Sequence, residues 1–161
     1  MRAGSRLSSP LTKEGRTTTS VRPKEKIEKE ENAYIVLKGQ GLSTLPRVCQ
    51  TKNVRFLDLQ NNNFNVNALS SLSSCITSLN LTKNPLGTTA LPSLPSLRTL
   101  SLDNCRLKNF NGFPYFPKLR SFSARNNSFE SFDGLQISPM LSTVNLSGNK
   151  TPIDPIIGIL A

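Results

Sequence analysis

The side chains best suited to chemistry in this chain are its acids, because its 161 residues include no histidine. Histidine is the commonest general base and a usual metal ligand, and without it no Ser-His or Cys-His pair can form. Asp58 and Asp103 are two carboxylates that could act as an acid pair, roughly 10 Å apart by strand spacing. No pattern around them suggests a pocket, and Gly39-x-Gly41 is too short for a dinucleotide-binding loop. We therefore expect that the protein is not an enzyme.

The three cysteines, Cys49, Cys75 and Cys105, are odd in number and follow no metal-binding or redox spacing. We interpret each as a small buried hydrophobic residue of a protein in a reducing compartment. The sequence therefore predicts no cofactor, no metal site and a cytoplasmic location, with the cytoskeleton and the nucleus as alternatives.

The chain is strongly basic, with a net charge of +10. Residues 1–31 hold eight basic and five acidic side chains, a net charge of +3, and the remaining residues hold twelve basic and five acidic side chains, a net charge of +7. Excess positive charge on the folded part favours an acidic partner or surface. Scattered lysines and arginines that only keep a surface solvated are the alternative.

The two ends of the chain differ in composition from its middle. Residues 1–23 predict a disordered basic tail, either a plain flexible tail, a docking arm phosphorylated at Ser9 or a mitochondrial presequence. Residues 24–32 predict a short charged helix that caps the domain. The apolar end at 151–161 is expected to fold back as an improvised cap, to meet a partner or to mark a truncated array. No stretch has the length of a membrane span or the h-region of a secretory signal.

One 11-residue pattern recurs between these ends. Its clearest copy, VRFLDLQNNNF from Val54, has apolar residues at places one, four, six and eleven and asparagine at place nine. Further copies begin at Ile76, Leu97, Leu119 and Leu141, and a weaker one, NAYIVLKGQGL, begins at Asn32. The starts are 22, 22, 21, 22 and 22 residues apart. We number these copies repeats 1 to 6 in chain order and refer to their positions by place.

This pattern resembles the leucine-rich repeat family, whose template is L-x-x-L-x-L-x-x-N-x-L. The resemblance covers residues 32–161 and implies an α/β solenoid in which short parallel strands form a concave sheet, with place nine closing each turn. Apolar residues spaced by three, together with Pro92, Pro95, Pro114 and Pro117, predict a convex side that is mostly 3₁₀ or irregular. The period is similar to that of the short intracellular class, which includes phosphatase-regulatory, nuclear and cytoskeletal adaptors.

The outward places of the strands identify the candidate binding residues. Tyr34, Val36 and Phe56 are expected to form an apolar corner at the N-terminal end, unless the preceding segment covers them. Arg98, Arg120 and Arg125 are expected to form a basic patch. The predicted partner-binding residues of the concave face are Tyr34, Arg55, Phe56, Asp58, Arg98, Asp103, Arg120 and Arg125.

Three functions are consistent with these patterns. The first is a non-enzymatic adaptor that binds a protein partner of acidic character on the concave face. The second is an electrostatic binder of a polyanion such as RNA or the acidic microtubule surface, which the basic composition favours, although no nucleic-acid-reading module is evident. The third is a structural subunit of a larger cytoskeletal or axonemal assembly.

Overall fold

Each repeat contributes one short strand to a six-stranded sheet in the computed structural model, which describes residues 33–150. The strands lie side by side in chain order: β1 Ala33–Val36, β2 Val54–Asp58, β3 Ser78–Asn80, β4 Thr99–Ser101, β5 Ser121–Ser123 and β6 Thr143–Asn145. From β2 onward, each place-four residue pairs in parallel with the place-four residue of the next repeat. The predicted parallel solenoid is thereby confirmed. The predicted tail at 1–23, helix at 24–32 and cap at 151–161 lie outside the described residues.

The core follows the places of the repeat. Places one, four, six and eleven are buried throughout repeats 2 to 4, because the strand alternates inward and outward while the turn returns place eleven to the interior. In repeat 1 the corresponding Ile35, Leu37 and Leu42 are only half-buried, since no earlier repeat covers them. Six phenylalanine rings fill the core of repeats 4 and 5, and Phe110 stacks on Phe129 at 4.2 Å between ring centroids.

Between residues 33 and 150, the convex side is built from turns and two 3₁₀ helices, η1 at Arg47–Gln50 and η2 at Val66–Leu69. Asn65 caps η2, since its side chain accepts the backbone N–H of Ala68 at 3.0 Å. Residues 33–150 contain no α-helix. This agrees with the expectation from the return segments, where proline lacks the amide hydrogen that a helix interior needs.

Place nine holds the turns together. The side-chain amide of Asn84 donates to the carbonyl oxygens of Leu59 and Leu81 at 2.9 and 3.0 Å, and its oxygen accepts the N–H of Phe64 at 3.0 Å. Equivalent bonds are made by Asn62, Asn127 and Asn149. Each asparagine therefore satisfies backbone groups of its own turn and of the preceding repeat.

Place eight is left-handed in all six repeats, with φ between 56° and 75°. Its occupants are Gly39, Asn61, Lys83, Asn104, Asn126 and Gly148, so Lys83 is the only one that is neither glycine nor asparagine. Those two residue types adopt this conformation most readily.

A second left-handed residue occurs at place ten in the two repeats that lack asparagine at place nine. These residues are Gly41, after Gln40, and Arg106, after Cys105, with φ of 67° and 60°. In both repeats the N–H groups of places nine and eleven converge on one amide oxygen of the next repeat, that of Asn62 or of Asn127. The altered turn therefore accompanies the missing asparagine.

Candidate functional site

The N-terminal end of the concave face carries an exposed aromatic pair. Tyr34 on β1 and Phe56 on β2 occupy place three of adjacent repeats, and their rings stack with centroids 3.9 Å apart and planes 4° apart. The Tyr34 side chain remains 70% exposed and the neighbouring Val36 49% exposed. The structure therefore brings together the three residues of the predicted apolar corner.

The four predicted arginines occupy different settings. The Arg55 guanidinium donates to the carbonyl oxygens of Lys52 and Val54 at 2.7 and 3.2 Å, so it is engaged with the backbone that leads into β2. Arg98 and Arg120 lie exposed side by side at the start of β4 and β5.

Arg125 lies beyond the other end of β5, five positions after Arg120. At about 3.3 Å per residue, the backbone positions of Arg120 and Arg125 are separated by roughly 16 Å. Arg98 and Arg120 are direct neighbours, whereas Arg125 lies at the opposite end of the strands. The predicted basic patch is therefore divided between the two ends of the strands.

The two candidate carboxylates hold the backbone. Asp58 at place five accepts the N–H of Gln60 at 3.0 Å, as Asn80 and Asn145 do in their own repeats. Asp103 at place seven accepts the N–H of Arg125 at 2.7 Å and the hydroxyl of Ser123. These bonds give both carboxylates a role in fixing the turns.

The polar side chains in the middle of the concave face bond to one another. Place seven of one repeat reaches diagonally to place five of the next in three successive pairs. These are Gln60 with Asn80 at 3.0 Å, Thr82 with Ser101 at 2.8 Å and Asp103 with Ser123 at 2.5 Å. We call this set the diagonal ladder. Its members are largely satisfied within the protein, so the exposed aromatic pair and the arginines are the concave groups with most capacity for a partner.

A polar cleft lies on the turn edge of the array, where the strands end. Its volume is about 260 Å³, and it is lined by Asn61, Asn62, Asn63, Lys83, Asn84, Pro85, Asn104 and Arg106. None of the residues predicted for the concave site is among them. The outward places of the strands do not predict this cleft. The signal for it in the sequence is place eight, where Lys83 is the single lysine among glycines and asparagines.

The cysteines are free, and two of them are fully buried. Burial raises the pKa of the Cys49 thiol and of the Cys105 thiol to about 11, which disfavours the reactive thiolate. Cys105 takes the place of an asparagine, and its sulfur donates to the carbonyl oxygen of Leu81 at 3.1 Å. Cys75 is only half-buried, so the expectation of three buried thiols is wrong for this residue.

Within residues 33–150, no group of His, Cys, Asp or Glu side chains is arranged to hold a metal ion. The same part of the chain has no helix of the length and apolar character that crossing a bilayer demands.

Comparison with known proteins agrees with the fold. No curated protein matches the chain. A family model described as the leucine-rich repeat matches residues 53–75, which comprise repeat 2 with β2 and η2. Five further copies stack in order beside the matched repeat, so the chain has the fold of a leucine-rich repeat solenoid.

Proposed function

We propose that this protein is a non-enzymatic adaptor that binds a protein segment on the concave face of its repeat array. Leucine-rich repeat domains generally act as protein-interaction modules. The observation that carries the proposal is the stacked pair of Tyr34 and Phe56, which leaves a large aromatic surface exposed at one end of the sheet. Aromatic side chains contribute strongly to interfaces because they bury much apolar area at a small cost in conformational entropy.

The charges on the same face favour an acidic segment as the partner. Arg98 and Arg120 are exposed, and neither has an acidic partner in residues 33–150, where Lys150 and Glu130 form the only ion pair. An acidic side chain on the partner would therefore meet two unpaired guanidinium groups next to each other. The segment would lie across the strands, with an apolar anchor on Tyr34 and Phe56 and its acids toward β4 and β5.

We also propose a reducing compartment such as the cytoplasm, which would keep the three free thiols unpaired. A larger cytoskeletal assembly would provide a partner of this kind. A polyanion is the second candidate ligand, favoured by the net charge of +10.

Recovery of partners from native extract tests the adaptor proposal. The intact protein would be compared with Phe56→Ala and with the pair Arg98→Glu and Arg120→Glu. Tyr115→Ala is the matched aromatic control, since Tyr115 is 47% exposed outside the strands, and Lys118→Glu is the charge control. We expect the concave variants to lose a protein that both controls retain, and cross-links from that protein to fall on β1 to β5.

Folded concave variants that recover the same proteins as the intact chain would refute the adaptor proposal. Repeating the recovery at low and moderate salt, with the intact chain and a chain lacking residues 1–31, separates the two candidates. A protein retained by the shorter chain at moderate salt supports the adaptor. Recovery of nucleic acid or tubulin that disappears with salt or with the tail supports the polyanion binder.

A further inference from the structure

The polar cleft on the turn edge has the composition of an anion-binding site. Its eight lining residues are five asparagines, one proline, Lys83 and Arg106, with no acidic side chain among them. Ligand pockets for drug-sized molecules are mostly apolar and hold roughly 300–1,000 Å³. A polar cleft of about 260 Å³ is suited instead to a small charged group.

The cleft contains polar side chains that the fold does not use. Asn62 and Asn84 are committed to the turns, but the side chains of Asn61, Asn63 and Asn104 make no hydrogen bond within residues 33–150. Lys83 and Arg106 likewise have neither a side-chain hydrogen bond nor an ion pair in that range. This differs from the diagonal ladder on the concave face, where neighbouring polar side chains satisfy one another.

Lys83 and Arg106 also have an unusual backbone conformation. Among the described residues, five other than glycine have a positive φ, and three of these are asparagines. The other two are Lys83 and Arg106, with φ of 60° in both, and both line the cleft. The left-handed conformation is unfavourable for lysine and arginine, and such outliers are concentrated at functional sites. Asparagine or glycine would suit the backbone better at these two positions but would supply no charge.

We propose that the cleft binds a phosphate-type oxyanion, either free phosphate or the phosphate ester of a modified side chain. Arg106 would bind two oxygens through its planar guanidinium, Lys83 would supply a second positive charge, and the free amides of Asn61 and Asn104 would donate to the remaining oxygens. This site lies on the turn edge, outside the concave face, and does not rest on the adaptor proposal.

The experiment is a nuclear magnetic resonance titration of the ¹⁵N-labelled full chain. The probes are inorganic phosphate, a phosphoserine peptide and the same peptide without phosphate, all at constant ionic strength. The test variants are Lys83→Asn and Arg106→Gly, which remove charge while introducing residue types that occur in the same left-handed places of other repeats. Lys118→Asn is the control, with the same loss of charge at an exposed residue outside the cleft.

We expect inorganic phosphate to shift the amide signals of residues 83, 104 and 106 in a saturable manner. Each test variant should bind phosphate about tenfold more weakly, as for loss of a charge-assisted hydrogen bond. Lys118→Asn should bind phosphate like the unaltered chain. Tighter binding of the phosphopeptide than of phosphate would identify a modified protein as the source, and equal binding would identify free phosphate. The proposal is overturned if neither probe binds, or if the control weakens binding as much as the test variants do.

Discussion

The carboxylate of Asp103 accepts the backbone N–H of Arg125 at 2.7 Å, across 22 positions of sequence. Asp58, Asn80 and Asn145 each bond to the N–H two residues later in their own repeat. These three residues occupy place five. Repeat 5 has Ser123 at place five, and Asp103 of repeat 4 accepts the N–H of Arg125 instead. A residue predicted to contact a partner thus fixes a neighbouring turn.

Replacement of Asp103 by alanine should lower the free energy of unfolding by about 1 kcal/mol, because the N–H of Arg125 loses its acceptor. A second change, Ser123→Asn, should recover most of this loss by restoring the bond that Asn80 makes in its own repeat. Urea unfolding followed by circular dichroism measures both. The control is Asp133→Ala, at an exposed carboxylate. Equal stability of the single and double variants would mean that Asp103 does not substitute for the missing place-five side chain.

Asn84→Ala should destabilise the array by roughly 1–3 kcal/mol, since the carbonyl oxygens of Leu59 and Leu81 and the N–H of Phe64 lose their buried partner. Asn63→Ala is the matched control: Asn63 is exposed one place before Phe64, and its removal should change stability by less than about 0.5 kcal/mol. Thermal and urea unfolding measure the stability of the unaltered chain, Asn84→Ala and Asn63→Ala. The role assigned to place nine fails if the two variants unfold alike.

Thiol labelling of the native protein should modify Cys75 first. Cys75 is half-buried, whereas Cys49 and Cys105 have 0% exposure, so the latter two react only when the array opens. Mass spectrometry after a short pulse of iodoacetamide should find one modified cysteine in the native protein and three in urea. Rapid native labelling at Cys105 would contradict the packing described for repeat 4.

The buried thiols should make the protein less stable in alkali. The pKa of Cys49 and of Cys105 rises from 9.0 to about 11 on folding. The contribution of each thiol is therefore complete below about pH 9 and is lost as the pH rises towards 11, by up to roughly 2–3 kcal/mol per thiol. Unfolding free energies at pH 8, 10 and 11 should fall more steeply for the intact chain than for Cys49→Ala with Cys105→Ala. Parallel pH profiles would exclude this effect.

Lys83→Asn should stabilise the protein by about 1 kcal/mol, because asparagine tolerates the φ of 60° better than lysine does. Lys118→Asn makes the same change of residue type at an exposed position of ordinary backbone and serves as the control. The two melting temperatures provide the comparison. If Lys83→Asn is no more stable than the control variant, the left-handed backbone at Lys83 carries no cost.

The apolar period was sufficient to predict the fold, because each place has a fixed direction in a stacked array. It placed the strands, the core and the asparagine turns, and it placed Tyr34 beside Phe56. The apolar period did not predict the hydrogen bond between Asp103 and the N–H of Arg125, since that bond depends on how one repeat is offset from the next. The turn-edge cleft was missed for a related reason, because backbone conformation at place eight, and not outward direction, distinguishes Lys83.

The side-chain hydrogen bonds of the four asparagines at place nine all point the same way along the array. Asn62, Asn84, Asn127 and Asn149 bond to their own turns and to the repeat before them, never to the repeat after. A ribosome releases the repeats in this same order, so the backbone groups that each asparagine needs have already been made when it emerges. Each asparagine can therefore form its bonds as soon as its own repeat has been made, and this direction is compatible with growth of the array from its N-terminal end during synthesis.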